Sequence, residues 1–119
     1  MENGEVIEPN ITNSESKFAL FEIKADKQPI GKFALAKKFS TSTVNLKEGD
    51  QVYLFSDGYA DQFGGEKGKK LKSKNFKHLL CSLADLEMKA QGEELNRRIE
   101  EWRGDYEQVD DICVIGFRI

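Results

Sequence analysis

Two short stretches, far apart in the chain, constrain its fold more than anything else in it: VYLFSDGYADQFGG at 52–65 and VDDICVIGFRI at 109–119. Each joins an apolar, strand-like run to acidic residues. In the first, Val52, Tyr53, Leu54 and Phe55 lead into Ser56, Asp57 and Gly58. In the second, Asp110 and Asp111 lead into Ile112, Cys113, Val114 and Ile115. Neither run alternates, so both strands are expected to be covered on both faces, as at the centre of a layered fold. Carboxylates at the ends of buried strands lose hydration at a cost unless something compensates them. A hard divalent cation does so through oxygen ligands. Two such ends meeting in one place would make a metal site.

Each acidic end also has a plainer reading. Asp followed by Gly is a common turn. What singles out Asp57 is the abrupt stop of an apolar strand at Ser-Asp-Gly, where Gly58 permits a sharp turn or a close approach. For Asp61, a turn or helix cap is the preferred reading. Asp110 and Asp111 repel each other before an apolar strand. A nearby cation would convert that repulsion into affinity; a solvated loop ending at Ile112 would equally accommodate it.

The rest of the chain reads as an α+β protein. Residues 18–25 form an expected strand after a polar loop over 9–17, and Gln28-Pro29-Ile30-Gly31 marks a turn. Residues 41–46 and 51–56 are expected to form an antiparallel hairpin about a turn at Lys47-Glu48-Gly49-Asp50. Phe76, Leu79, Leu80 and Leu83 recur at helical spacing, with Ser73 as N-cap and His78 on the polar face. Met88, Gly92, Leu95, Ile99 and Trp102 make the stripe of a second helix. Glu93–Arg97 and Glu94–Arg98 pairs support its outer face. Gly92 suggests close packing, and Gly104 ends the helix. Residues 112–119 are the last strand. The order β-β-β-α-α-β predicts two helices layered on a mainly antiparallel sheet.

Composition excludes several function classes. The 119 residues suit one domain, and 33% charged residues with 39% hydrophobic ones suit a soluble one. No run approaches membrane-spanning length, and MENGEVIEPN has no signal-peptide pattern, so a cytoplasmic protein with no membrane partner is expected. Cys81 and Cys113 are expected buried and reduced; with a single His they give no zinc pattern. The net charge of −3 disfavours nucleic acid as a partner. One local exception is basic: Lys67, Lys69, Lys70, Lys72, Lys74 and Lys77 lie within eleven residues. They read either as a solvated loop running into a helix or as a surface that attracts a phosphorylated substrate. No aromatic residues are interleaved for base stacking.

The string GDQVYLFSDGYADQFGG, the upstream QPIG turn and the terminal EWRGDYEQVDDICVIGFRI resemble the metal-dependent protein phosphatases of the PPM family (type 2C), in particular the SpoIIE-type serine phosphatases. The resemblance implies an αββα sandwich and a Mn²⁺- or Mg²⁺-dependent hydrolase of phosphoserine and phosphothreonine in signalling phosphoproteins. It implies Asp57 and Asp110 as metal ligands. Asp111 stands where the family often has Asn, with a supporting role, as for Gly58. The loop over 62–74 resembles a segment beside the active site, which turns Lys67, Lys69 and Lys70 toward substrate.

The chain also departs from the family. The family domain is roughly twice as long, and its first half carries an Asp motif that bridges two metals; no such motif precedes QPIG. Residues 1–119 therefore resemble the C-terminal half of the domain. No catalytic residue is assigned, metal binding is expected to be weak, and the isolated chain is expected to be inactive. Uncovered sheet surface would call for a partner, either the first half of the domain or further copies of the chain. The alternative is a non-catalytic interaction or dimerisation module built on the same fold.

Overall fold

The two apolar runs pair with each other in a computed structural model of the chain, which describes residues 11–12, 18–23, 41 and 43–119. In chain order the elements are β1 (Ile11–Thr12), β2 (Ala19–Leu20), β3 (Gln51–Phe55), α1 (Gly58–Asp61), β4 (Phe63–Gly64), β5 (Lys69–Lys70), α2 (Ser73–Ser82), α3 (Met88–Arg103) and β6 (Val114–Arg118). Among the described residues the strands form three two-stranded antiparallel ribbons, β1–β2, β3–β6 and β4–β5. The protein is α+β with antiparallel strands, as expected. The QPIG turn lies outside the described residues, and so does most of the 9–17 loop, of which Ile11–Thr12 is strand.

β3 and β6 run in register from Gln51 opposite Arg118 to Phe55 opposite Val114. This corrects the expected hairpin: Thr41 and residues 43–46 are not strand. The 47–50 turn does form, with Asp50 N donating to Lys47 O and Lys47 N donating to the Asp50 carboxylate. Its Gly49 (φ +94°) donates its N–H to Ile119 O, and Ile119 N donates back to Asp50 O. The turn is therefore stitched to the end of β6 rather than folded onto the preceding segment.

Opposite residues of an antiparallel pair share a face, and alternate residues change face. Tyr53 and Val114 lie on the face that packs against the helical core. Leu54, Ile115 and Phe117 lie on the other and are 59%, 54% and 43% exposed. The expectation of strands covered on both faces is thus met on one face only. No described element packs on the other.

The core lies between α1, α2 and α3. Phe76 and Leu80 of α2, Leu95 and Ile99 of α3, and Tyr59 of α1 are almost wholly buried. Phe76 meets Phe55 edge-on at 5.0 Å between centroids and Tyr59 at 4.7 Å. α3 buries Leu95 and Ile99 of the expected stripe, with Trp102 packed against the core, and Gln91 in place of the expected Gly92. A Cβ at Gly92 would meet nothing within 4 Å, so this glycine is not a packing site. Gln91 is buried because its amide is fully used, donating to Gln51 Oε1 and Leu86 O and accepting from the Tyr53 hydroxyl. On the outer face Arg98 pairs with Glu94 as expected, but Arg97 bridges Glu94 and Glu101 instead of Glu93. Gly104 (φ +53°) closes α3 with its N–H on Glu100 O.

Ser73 is the first residue of α2 rather than its cap. Lys72 precedes it at φ +80°, without a capping side chain. The reason lies upstream: Leu71 N donates to Gln62 O and Lys72 N to Ala60 O. These bonds hold the backbone entering α2 against α1 and the start of the hairpin. His78 is exposed, as expected. Cys81 is buried, its Sγ donating to Phe18 O, whereas Cys113, just before β6, is exposed rather than buried. Among the described residues no helix is long and apolar enough to cross a membrane.

Candidate metal centre

The antiparallel register places the end of β3 beside the start of β6, so Ser56-Asp57-Gly58 lies against Asp111-Ile112-Cys113. Ser56 N donates to Cys113 O at 3.0 Å, continuing the ribbon by one step. The Ser56 hydroxyl then donates to Asp111 O at 2.9 Å and accepts from Cys113 N at 3.1 Å. One side chain thereby fixes the backbone on both sides of Ile112. Gly58 completes the contact: a Cβ there would lie 2.1 Å from Asp111 O and 2.7 Å from Asp111 C. Only glycine lets the two segments approach this closely.

Asp57 occupies the N-cap position of α1 without making a capping bond, and its side chain is exposed. Asp110 and Asp111 are also exposed, and one Asp110 oxygen accepts the Asp111 N–H at 2.8 Å. None of the three carboxylates pairs with a cation of the described residues, whereas Asp61 pairs with Lys70 at 3.7 Å. The donors are oxygens only, the set a hard cation prefers. Among the described residues no group of three or more His, Cys, Asp or Glu could hold a metal.

The mount beneath this end is rigid. The buried Tyr59 hydroxyl donates to Leu95 O at 2.6 Å, tying α1 to α3, and burial pushes its pKa up to about 12. Gln62, 1% exposed, has no counterpart in the sequence reading. Its amide donates to Phe63 O and, at 2.9 Å, to Glu107 O in the segment that leads to Asp110. Its backbone carbonyl accepts from Trp102 Nε1 and Leu71 N. Gln62 thus ties together α1, the β4–β5 hairpin, α3 and the Asp110 segment. A buried glutamine has no periodicity or motif to announce it; only its bonds do.

The lysine-rich loop is a hairpin. β4 and β5 pair Phe63 with Lys70 and Gly64 with Lys69 around a turn at 65–68. Gly65 and Gly68 have φ of +71° and +58°, which the turn requires. The hairpin lies against the end of α3: Gly65 N donates to Trp102 O, and a Cβ at Gly68 would meet the Tyr106 hydroxyl at 2.6 Å. Lys67, Lys69 and Lys70 are exposed on it, and Lys70 also lies over the Phe63 ring.

This arrangement belongs to a recognisable class. The family model of stage II sporulation protein E (SpoIIE) matches residues 8–119, and the chain belongs to that family. It is similar to the solved SiaA-PP2C domain of Pseudomonas aeruginosa, with 36% identity and a TM-score of 0.62. That match covers 64% of this chain and 31% of the solved one, so the chain spans less than a third of that structure. No curated protein sequence matches. Over the part it spans, the chain has the PP2C-like α+β fold.

Proposed function

We propose that residues 1–119 are the C-terminal part of a Mn²⁺- or Mg²⁺-dependent phosphoserine/phosphothreonine phosphatase domain that acts on cytoplasmic signalling phosphoproteins. Asp57 and Asp110 are its metal ligands, and Asp111 and Gly58 hold their backbone. The observation that carries this reading is the junction of Ser56 and Gly58 with Asp111, which mounts two unpaired acidic segments side by side. When bound, the metal supplies Lewis-acid polarisation of phosphoryl oxygens and a water of lowered pKa. The chain's own part is positional. Ser56 locks the strand ends, Gly58 admits the Asp111 backbone, and Tyr59 and Gln62 anchor the turn and the Asp110 segment. Lys67, Lys69 and Lys70 face the substrate.

Two carboxylates hold one cation loosely, so the isolated chain binds metal weakly and does not turn over. Its activity needs further ligands from the first half of a family domain. The test is phosphopeptide hydrolysis with Mn²⁺, by the chain alone and with that half supplied. The chain alone should not exceed a metal-only control, and the completed domain should. A completed, folded domain that hydrolyses no phosphopeptide would count against the phosphatase reading.

A second reading is an interaction or dimerisation module without chemistry. What favours it is the exposed Leu54, Ile115 and Phe117 face. Apolar surface of this kind is suited to a partner, whether the rest of the domain or a second copy. Light scattering at micromolar concentration tests the second copy: oligomers support it, and a monomer excludes it.

A further inference from the structure

From Gln62 to Ala84 the chain carries six lysines and a single acid, Glu66, within a protein of net charge −3. The structure shows that this charge is not spent internally. Lys70 is engaged by Asp61 and by the Phe63 ring, and Lys77 by Glu22. Lys67, Lys69, Lys72 and Lys74 are exposed and make no ion pair with any described residue. Acids are close in the fold: Gln62 bonds the Glu107 carbonyl, and Tyr106 lies against Gly68. Even so, no ion pair links the free lysines to Asp105, Glu107, Asp110 or Asp111.

These four lysines sit on a built support rather than a free loop. Lys67 is in the tight 65–68 turn and Lys69 is in β5, on a hairpin whose Gly65 and Gly68 lie against Trp102 and Tyr106. Lys72 and Lys74 flank the start of α2, whose first turn contains no acid to offset them. Lys72 takes φ +80° and ψ 147°, a conformation that costs a non-glycine residue. A glycine would fit there with less strain, yet the position carries a cation. The hydrogen-bonded backbone fixes where these cations emerge, and a concentrated patch steers an anionic partner in.

We propose that the β4–β5 hairpin and the start of α2 form a docking surface for an acidic stretch of polypeptide. On the phosphatase reading, from which this follows as a specificity, that stretch flanks the phosphorylated residue while Asp57 and Asp110 address the phosphoryl group. The placement supports it: the hairpin leaves α1 only a few residues after Asp57, and Lys72 N is bonded to Ala60 O of α1. A substrate bound at the acidic end would pass beside the basic one. Side-chain carboxylates of Asp and Glu are the matching chemistry. No exposed lysine here is boxed into a pocket that would select one monophosphate.

The experiment uses the 119-residue chain and a fluorescein-labelled, unphosphorylated peptide rich in Asp and Glu, with an Asn/Gln analogue as control. Anisotropy is read in EDTA, so the outcome depends on neither metal nor hydrolysis. The acidic peptide should bind, with affinity falling as salt rises, and the control should not. Lys67→Glu/Lys69→Glu/Lys72→Glu/Lys74→Glu should weaken binding at least tenfold and flatten the salt dependence. The four Lys→Arg substitutions should retain binding. Lys67→Glu/Lys69→Glu alone, confined to the hairpin, should give an intermediate loss if the fourfold variant is poorly folded. Equal binding of the control peptide, or reversal variants within twofold of the parent, would overturn the proposal. So would tighter binding of a short single-stranded oligonucleotide than of the peptide. A completed, folded domain that hydrolyses no phosphopeptide, alongside successful peptide docking, would sink the phosphatase reading and leave the docking surface standing.

Discussion

The two charged regions that flank α1 are built in opposite ways. At the acidic end, Asp57 and Asp110 stand on backbone fixed by one serine hydroxyl and one glycine contact. At the basic hairpin, Lys67 and Lys69 ride a β-turn fixed by packing against Trp102 and Tyr106. The first is a meeting of segments far apart in sequence; the second is local. Yet the two neighbours neutralise each other only through the exposed Lys70–Asp61 pair, a type of bridge worth little. Charges kept apart at close quarters are available to something outside the chain. The acidic end suits a small hard cation, whereas the hairpin suits an extended anion.

The comparison breaks most completely if the shared mount is removed. Phe76 is fully buried and contacts both Phe55 and Tyr59. Phe76→Ala should cost about 3–5 kcal/mol. Chemical denaturation should show the loss, and metal and acidic-peptide binding should fail together. Gly58→Ala sharpens the comparison instead. Its Cβ would strike the Asp111 carbonyl, which is backbone and cannot swing aside. A loss of about 1–3 kcal/mol is expected, of the order seen for overpacking. Metal binding should weaken while peptide binding holds. Gln62→Leu should act more gently, at about 1 kcal/mol for a lost amide bond to the Glu107 carbonyl. Here amide exchange should quicken in residues 105–111 and stay unchanged in α2.

A pH scan probes the same mount without a substitution. Burial raises the Tyr59 pKa from its ordinary 10 to about 12, so the folded state holds that proton longer than the unfolded state. Its contribution to stability is complete below pH 10 and is lost as pH rises through the window from 10 to 12. Thermal melts of the parent should decline across that window, and those of Tyr59→Phe should decline less.

How much of this was legible in the sequence differs between the two regions. The apolar runs with acidic ends were readable, because buried pairing needs continuous apolar residues and the motif residues are contiguous. Their mutual pairing was not: the 47–50 turn suggested a local hairpin, and only the bonds between Gly49, Asp50 and Ile119 show that the turn serves β6. The exposed face of β3–β6 was illegible for a related reason, since continuous apolar runs look the same whether one face is covered or two. Periodicity found α3 and its core residues Leu95 and Ile99 but overlooked Gln91, because a buried glutamine reads as surface until its partners Gln51, Tyr53 and Leu86 are seen. The lysines were visible as a charge run. That they sit on a docked hairpin, with four of them unpaired among the described residues, required the structure.

The central claim is that Asp57 and Asp110 share one cation. Isothermal titration of Mn²⁺ into the parent chain, Asp57→Asn, Asp110→Asn and the Lys70-paired Asp61→Asn tests it most directly. The account predicts weak binding to the parent, a loss of about tenfold or more in each of the first two variants, as for removal of a charged ligand, and no change in the third. Unchanged binding in both Asp57→Asn and Asp110→Asn, or loss on Asp61→Asn alone, would contradict it.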